Sequence, residues 1–365
     1  MKQVVVGAGI LGTSIAYYLQ KRGVDVLLVD ADFKGKATKA GAGIVCPWVS
    51  SRKDPDLYRL ARAGAIYYPE LVEELKQDSD LETGYQLCGA LALGQDEEDL
   101  DRLYQEAVSK REETDFVGEV RKLNNEEAKE MFPPLQDDVS AVYVSGGARV
   151  DGQKLNEALL KGFQKHGGEL LEEEISLASD DGEVYIETGR GNMAVKQVIL
   201  AAGAWSKDLL APIGVDLTLE PQRGQIAHVY TEQDTRDWPV VLPQTSHYML
   251  AFEDSRVVFG ATRETGSGFD YRLTAGGVHE VLHEGLTVAP GLRDATLGEV
   301  RIGFRPMGPD YKPLLGRVSD FDNLIVATGL GPSGLTIGPY VGKLIGQLAL
   351  GEEVEVDLSY YDPLR

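Results

Sequence analysis

Cysteine is nearly absent from this chain, with Cys46 and Cys88 the only two among 365 residues. Two thiols give no disulfide framework, so the expected setting is a reducing cytoplasm. Positive charge is short as well: 36 Lys and Arg stand against 58 Asp and Glu, a formal charge of −22. Such a balance works against a nucleic-acid partner, which needs many phosphate contacts, and against an anionic membrane surface. Long apolar runs are missing. The most apolar late segment, 335–350, carries Pro339, Lys343 and Gln347 and is too short to span a bilayer, so no integral membrane segment is expected. The first residues run straight into a strand-like stretch without the layout of a signal peptide. No low-complexity tract or fixed-period repeat is present.

Histidine is scarce too, five in all, yet two stand four apart in His279-Glu280-Val281-Leu282-His283. The pattern is that of zinc proteases, whose two histidines share one helix face beside a water-activating glutamate. The surroundings argue otherwise. Val278, Val281, Leu282 and Leu286 form the apolar stripe of a helix and leave His279 and Glu280 mostly on its polar side. The extended zinc motif needs glycine at 286 and histidine at 289, where this chain has Leu286 and Ala289. A surface helix without metal is expected.

The composition that remains is that of a globular protein, 43% hydrophobic and 26% charged, large enough for two domains or one large α/β unit. Residues 1–30 are its most informative part. Val4-Val5-Val6 reads as a buried parallel strand. Gly7-Ala8-Gly9-Ile10-Leu11-Gly12 follows, then a helical stretch closed by Gly23, then a second strand ending in Asp30. In this pattern Gly7 makes the tight turn, Gly9 lets backbone approach a pyrophosphate, and Gly12 lets helix and strand pack closely. The helix N-terminus offers unpaired N–H groups to phosphate, and Asp30 is placed to accept from a ribose hydroxyl. The fingerprint predicts a dinucleotide and does not separate NAD from FAD.

Three further stretches carry a resemblance. Residues 31–48, with Thr38 in a basic, small-residue run ending in Gly41-Ala42-Gly43, look like the segment that runs along the pyrophosphate and under the flavin ring in the glycine oxidase/D-amino acid oxidase family of FAD enzymes. KQVILAAGAWS (196–206) resembles that family's second strand-plus-Ala-Gly segment. FDNLIVATGLGPSGLTIGP (321–339) resembles its C-terminal flavin motif, in which a helix N-terminus points at the flavin pyrimidine. The match is collinear over nearly the whole chain and is strongest to the bacterial glycine oxidase and D-amino acid dehydrogenase branch. It implies non-covalent FAD, since neither cysteine falls where sarcosine oxidases attach flavin. Contacts are expected from Gly7, Gly9, Ile10, Leu11, Gly12, Asp30, Ala31, Ala37, Thr38, Gly41, Ala42, Gly43 and Ile44. Further along the chain they are expected from Ile175, Ala202, Gly203 and the run Gly329-Leu330-Gly331-Pro332-Ser333-Gly334-Leu335-Thr336. Gly338, Gly342 and Gly346, four apart, read instead as close helix packing.

The resemblance also sets the organisation. A Rossmann-like FAD-binding domain (1–80, 145–210 and 305–365) is expected to interleave with an antiparallel-sheet substrate domain (81–144 and 211–304), in an α/β chain. In substrate binding it implies Arg305 as a carboxylate clamp, because a guanidinium pairs bidentately with a carboxylate. Tyr248, in SHYML, matches the tyrosine that helps hold that carboxylate or closes the site. Arg263 falls where glycine oxidase has an apolar site residue; turned inward it would meet an acidic substrate side chain or a second carboxylate, turned outward it is a solvated arginine. Pro332 stands where glycine oxidase has a second arginine, and Val258 where sarcosine oxidases have their oxygen-activating lysine. Cys46 reads as a small buried hydrophobe near the flavin face.

The expected enzyme oxidises the CH–NH bond of a D-amino acid, glycine or N-alkyl glycine, with O2 or another electron acceptor and no metal. Two alternatives stay open: oxidation of another small carboxylate such as a 2-hydroxy acid, and a flavin domain acting on tRNA, against which the charge argues. Oligomeric state is left open, a homo-oligomer included.

Overall fold

The computed structural model describes residues 1–49 and 54–365. Two large sheets dominate. The six-stranded sheet runs in the order Leu314–Arg317, Leu324–Thr328, Gln197–Leu200, Gln3–Val6, Val26–Asp30, Glu169–Glu172. Its pairs are parallel except for the antiparallel edge strand Leu314–Arg317. Val4, Val5 and the Val198–Leu200 run are fully buried, as expected for strands covered on both faces. The helix Ile10–Lys21 lies on one side, packed against the helix Gly334–Leu350. Their closeness has a sequence cause. A Cβ added at Gly342 would lie 2.5 Å from the Ser14 Cβ, and one at Gly346 would meet the Tyr18 ring at 2.3 Å. The four-residue glycine spacing is therefore a packing seam.

The eight-stranded sheet runs Thr296–Met307, Glu220–Tyr230, Arg256–Gly260, Tyr248–Ala251, Val240–Leu242, Ala90–Gly94, Ser140–Val144, Val120–Leu123. All its pairs are antiparallel except Val240–Leu242 beside Ala90–Gly94. The chain thus enters this sheet twice and returns to the six-stranded sheet between visits, giving the mixed α/β architecture the sequence predicts. Two details differ from expectation. Arg305 lies inside the strand Thr296–Met307 of the eight-stranded sheet, not at the start of the returning segment. Residues 176–193, between two strands of the six-stranded sheet, form their own three-stranded antiparallel sheet.

A buried ion pair joins the two parts. Asp151 caps the helix Gly152–Lys165, accepting from the Gln153 and Lys154 amides, and receives Arg256 from the eight-stranded sheet at 2.7 Å. Arg256 also donates to Nδ1 of His228, at 3.3 Å. Burial and the nearby Arg301 and Arg256 guanidiniums push the His228 pKa down to about 4. Between pH 6.5 and about 4 the unfolded chain therefore takes up a proton that the folded chain refuses, and stability falls as pH falls through that window. Wild type should lose roughly 2 kcal/mol between pH 7 and 5 that His228→Gln does not lose, measured by denaturant unfolding at both pH values. Equal losses in the two proteins would contradict a neutral buried imidazole.

Candidate active site

A cavity of about 640 Å³ lies where the two sheets meet, taking in Asp30 from the six-stranded sheet and Tyr248 and Arg305 from the eight-stranded one. Its wall includes every residue expected to touch cofactor or substrate except Gly12 and Gly329. Gly12 stands behind the wall, where an added Cβ would lie 1.8 Å from the Gly7 carbonyl oxygen. Gly329 packs on Leu314 in the same supporting way.

The dinucleotide end is built from local turns. Gly7 has φ +104°, and a Cβ there would meet the Ala201 carbonyl oxygen at 2.5 Å, so strand, turn and neighbouring strand close without side chains. Asp30 accepts from the Ala8 amide at 2.5 Å, the Asp32 amide at 2.6 Å and Lys36 at 2.5 Å, which fixes its carboxylate at the strand end. Thr38 reaches back over the fingerprint and accepts from the Ile10 amide at 2.9 Å. Gly203 has φ +55° and faces open space, where a Cβ would meet no atom within 4 Å. At the far side Gly334, Leu335 and Thr336 bring the N-terminus of the 17-residue helix Gly334–Leu350 to the cavity wall. That end carries partial positive charge suited to a flavin that gains negative charge on reduction. An acid at the second strand end, an open glycine cradle and a helix N-terminus on one wall fit FAD.

The substrate end is cationic. Arg305 donates from Nη1 to the Thr262 carbonyl at 3.0 Å and to the Gln222 side-chain oxygen at 3.4 Å. Neither partner is charged. Room for its guanidinium comes from Gly224 on the adjacent strand, where a Cβ would lie 2.6 Å from both terminal nitrogens. Burial lowers the Arg305 pKa, the nearby Tyr248 raises it and Arg263 lowers it. A guanidinium so placed stays charged at any working pH. Tyr248 is raised by burial and pulled back by Arg305 and Arg263, so it remains a neutral phenol near pH 7. Its ring sits in a gap left by Gly260, where a Cβ would approach to 2.7 Å.

Arg263 lines the same cavity and is exposed to it. It shares that wall with Arg305 and Tyr248, and its positive charge acts to lower the pKa of both. No hydrogen bond or ion pair engages Arg263 among the described residues.

Several wall residues carried no clear signal in the sequence. His247 lies against Glu280 at 3.2 Å and Glu284 at 3.9 Å. The helix Ala275–Val288, which contains the HEVLH stretch, therefore braces the rim of the cavity. His279 and His283 are exposed, and no group of three metal-ligating side chains occurs among the described residues. Lys36, Phe33 and Trp205 line the dinucleotide end. Pro332 is in the wall, whereas Val258 is buried in the core away from it. Cys46 lines the cavity as a buried thiol pushed up to about 12, so it is no thiolate at neutral pH. No helix among the described residues is long and apolar enough to cross a membrane.

Known proteins resemble the chain over nearly its whole length. The chain is similar to an uncharacterised oxidoreductase of Bacillus subtilis, 43% identical over 363 residues that cover 99% of this chain and 98% of the relative. It is similar to the glycine oxidase of Geobacillus kaustophilus, 30% identical over 99% of this chain and 96% of the relative. Among solved structures it resembles the iminodiacetate oxidase of Chelativorans sp. BNC1, with TM-score 0.97, 46% identity and 99% of both chains covered. The family model described as "FAD dependent oxidoreductase" matches residues 2–348. With a dinucleotide cradle and a cationic pocket on one cavity, and these relatives along its whole length, the chain belongs to the DAO family of FAD-dependent oxidoreductases.

Proposed function

We propose that this enzyme oxidises the CH–NH bond of an N-substituted glycine that carries a second carboxylate, with iminodiacetate as the first compound to try. One observation carries the reading: Arg305 and Arg263 face one cavity end, and no described carboxylate pairs with Arg263. Two like charges on one cavity wall disfavour each other, and a ligand bringing two negative charges offsets that. The resemblance to an iminodiacetate oxidase supports the choice, because that substrate is a glycine whose nitrogen bears a second acetate. The glycine oxidase relatives support the other half, a glycine unit oxidised at its α-carbon.

In this reading Arg305 takes the carboxylate of the reacting glycine arm by a charge-assisted fork. The Thr262 carbonyl and Gln222 hold the guanidinium plane in place. Tyr248, as a neutral phenol, donates to the same carboxylate. Arg263 takes the second carboxylate, and the two anchors fix which carbon faces the cofactor, so orientation contributes to rate. Bound FAD supplies the two-electron acceptor, so the C–H bond is lost as a hydride equivalent, and loss of the amine proton leaves an imine that water hydrolyses. The cofactor is held without a covalent bond, consistent with the protonated Cys46 thiol.

The test is substrate preference in Arg263→Ala. KM for iminodiacetate should rise about 10- to 100-fold, as for losing one hydrogen-bonded charge pair, while KM for glycine moves less than about threefold. Equal effects on both substrates would remove Arg263 from recognition of the second carboxylate.

A further inference from the structure

We propose that Arg223 and Glu264 form a lock that holds Arg263 in aim and keeps the adjacent acid from neutralising the site. The inference rests on the reading that Arg263 receives a substrate carboxylate. Arg223 does not line the cavity and is nearly buried, with 7% of its side chain exposed. It sits on the strand Glu220–Tyr230, and its backbone exchanges two hydrogen bonds with Glu264, at 3.1 and 2.9 Å.

Its guanidinium is fully used. Nε and Nη2 donate to one Glu264 oxygen at 3.0 and 2.5 Å. Nη1 donates to the carbonyls of Asp270 and Arg272 at 3.0 and 3.4 Å and lies 3.0 Å from the Asp270 carboxylate. One side chain therefore ties down three points of the 264–272 segment, which starts immediately after Arg263 and lacks regular secondary structure. The segment has further holds, Gln222 donating to the Thr265 hydroxyl at 3.1 Å and Phe269 stacked on Trp205 at 4.9 Å, but neither is ionic or reaches the Glu264 carboxylate.

The other Glu264 oxygen is taken as well, by Gln225 at 2.7 Å and the Thr262 hydroxyl at 2.8 Å. Glu264 is the acid next to Arg263 in the chain, and its charge reaches Arg305. Left unpaired, it would compete with a substrate carboxylate for both arginines. Paired with Arg223, and absent from the cavity wall, its carboxylate is held by that guanidinium and not by either site arginine. Arg223 is thus a positioning residue, acting through Glu264 and Arg263.

Holoenzyme carrying Arg223→Met tests this, with iminodiacetate and glycine as probes. KM for iminodiacetate should rise about tenfold or more while kcat and FAD content stay within about twofold, and Arg263→Ala added on top should change little, the mark of two residues acting as one unit. Arg223→Met/Glu264→Gln should recover part of the loss, because the unpaired anion is gone. Arg223→Lys, which keeps a cation but not the fork, should fall between. If Arg263→Ala shifts the iminodiacetate KM and Arg223→Met does not, the lock is wrong and the diacid reading stands. If Arg263→Ala itself shifts nothing, the diacid reading falls first. Parallel losses of kcat and KM for both probes in the Met and Lys variants would make Arg223 purely structural and overturn the proposal.

Discussion

Arg305→Ala is expected to keep its FAD and its fold while losing kcat/KM by about 30- to 1,000-fold, equivalent to ~2–4 kcal/mol of transition-state stabilisation. The fold should survive because Arg305 has no ionic partner to leave stranded. Its bonds go to the Thr262 carbonyl and to Gln222 at a long 3.4 Å, both of which water can replace in an enlarged cavity. Cofactor binding should survive because the FAD cradle is drawn from the fingerprint, the 201–203 turn and the 330–336 loop, none of which leans on this side chain. Substrate should suffer because its carboxylate would enter a partly dehydrated site without the cation placed for it. Lysine should restore only part of the activity, since a point charge cannot reproduce a planar fork. Simple carboxylate inhibitors should weaken in parallel. Wild-type turnover in Arg305→Ala, checked by steady-state kinetics, would move the clamp elsewhere.

Gly12→Ala should have the second large effect, on cofactor retention. The new Cβ would stand 1.8 Å from the Gly7 carbonyl oxygen and 3.3 Å from the Ala201 Cβ. Backbone cannot yield as a flexible side-chain tip can, so helix and strand must part. Overpacking of this kind costs about 1–3 kcal/mol or more. Here the displacement also moves the turn through Gly7 and Gly9 and the amides at the helix N-terminus, the groups such a fingerprint offers to a pyrophosphate. The variant should purify largely colourless and melt several degrees lower, while wild type purifies yellow and releases its FAD to the supernatant on acid precipitation. Absorbance at the flavin band against protein concentration decides the matter. A stoichiometrically yellow Gly12→Ala would mean that the close approach is dispensable.

The two ends of the cavity were not equally legible in the sequence. The dinucleotide end is made of neighbours in the chain: a buried run, three glycines at fixed spacing, a helix and an acid closing the next strand. Local chemistry dictates such a unit, and Asp30 and Thr38 stand where the pattern places them. The substrate end is assembled by register. Arg305 stands opposite Gln222 across 83 positions, and Gly224 and Gly260 provide the space for Arg305 and Tyr248. No spacing rule within one stretch gives those pairings, so the arginine was visible through family resemblance alone. Arg263 shows the limit most clearly. It follows a strand end, and whether it turned inward depended on the Arg223–Glu264 contact some forty positions away. HEVLH shows the converse. A strong local pattern became a brace for His247 through Glu280, a contact set by where the helix docks rather than by its motif.

In the diacid reading Arg305 and Arg263 together select an amine with two carboxylates. The deciding measurement mixes the holoenzyme anaerobically, in a stopped-flow instrument, with matched concentration series of iminodiacetate, glycine, sarcosine and a 2-hydroxy diacid while flavin bleaching is followed. Iminodiacetate should bleach the flavin fastest and at the lowest half-saturating concentration, with the single-carboxylate amines slower and the hydroxy diacid bound but unreactive. Faster bleaching by glycine or sarcosine than by iminodiacetate, or bleaching by the hydroxy diacid alone, would contradict it.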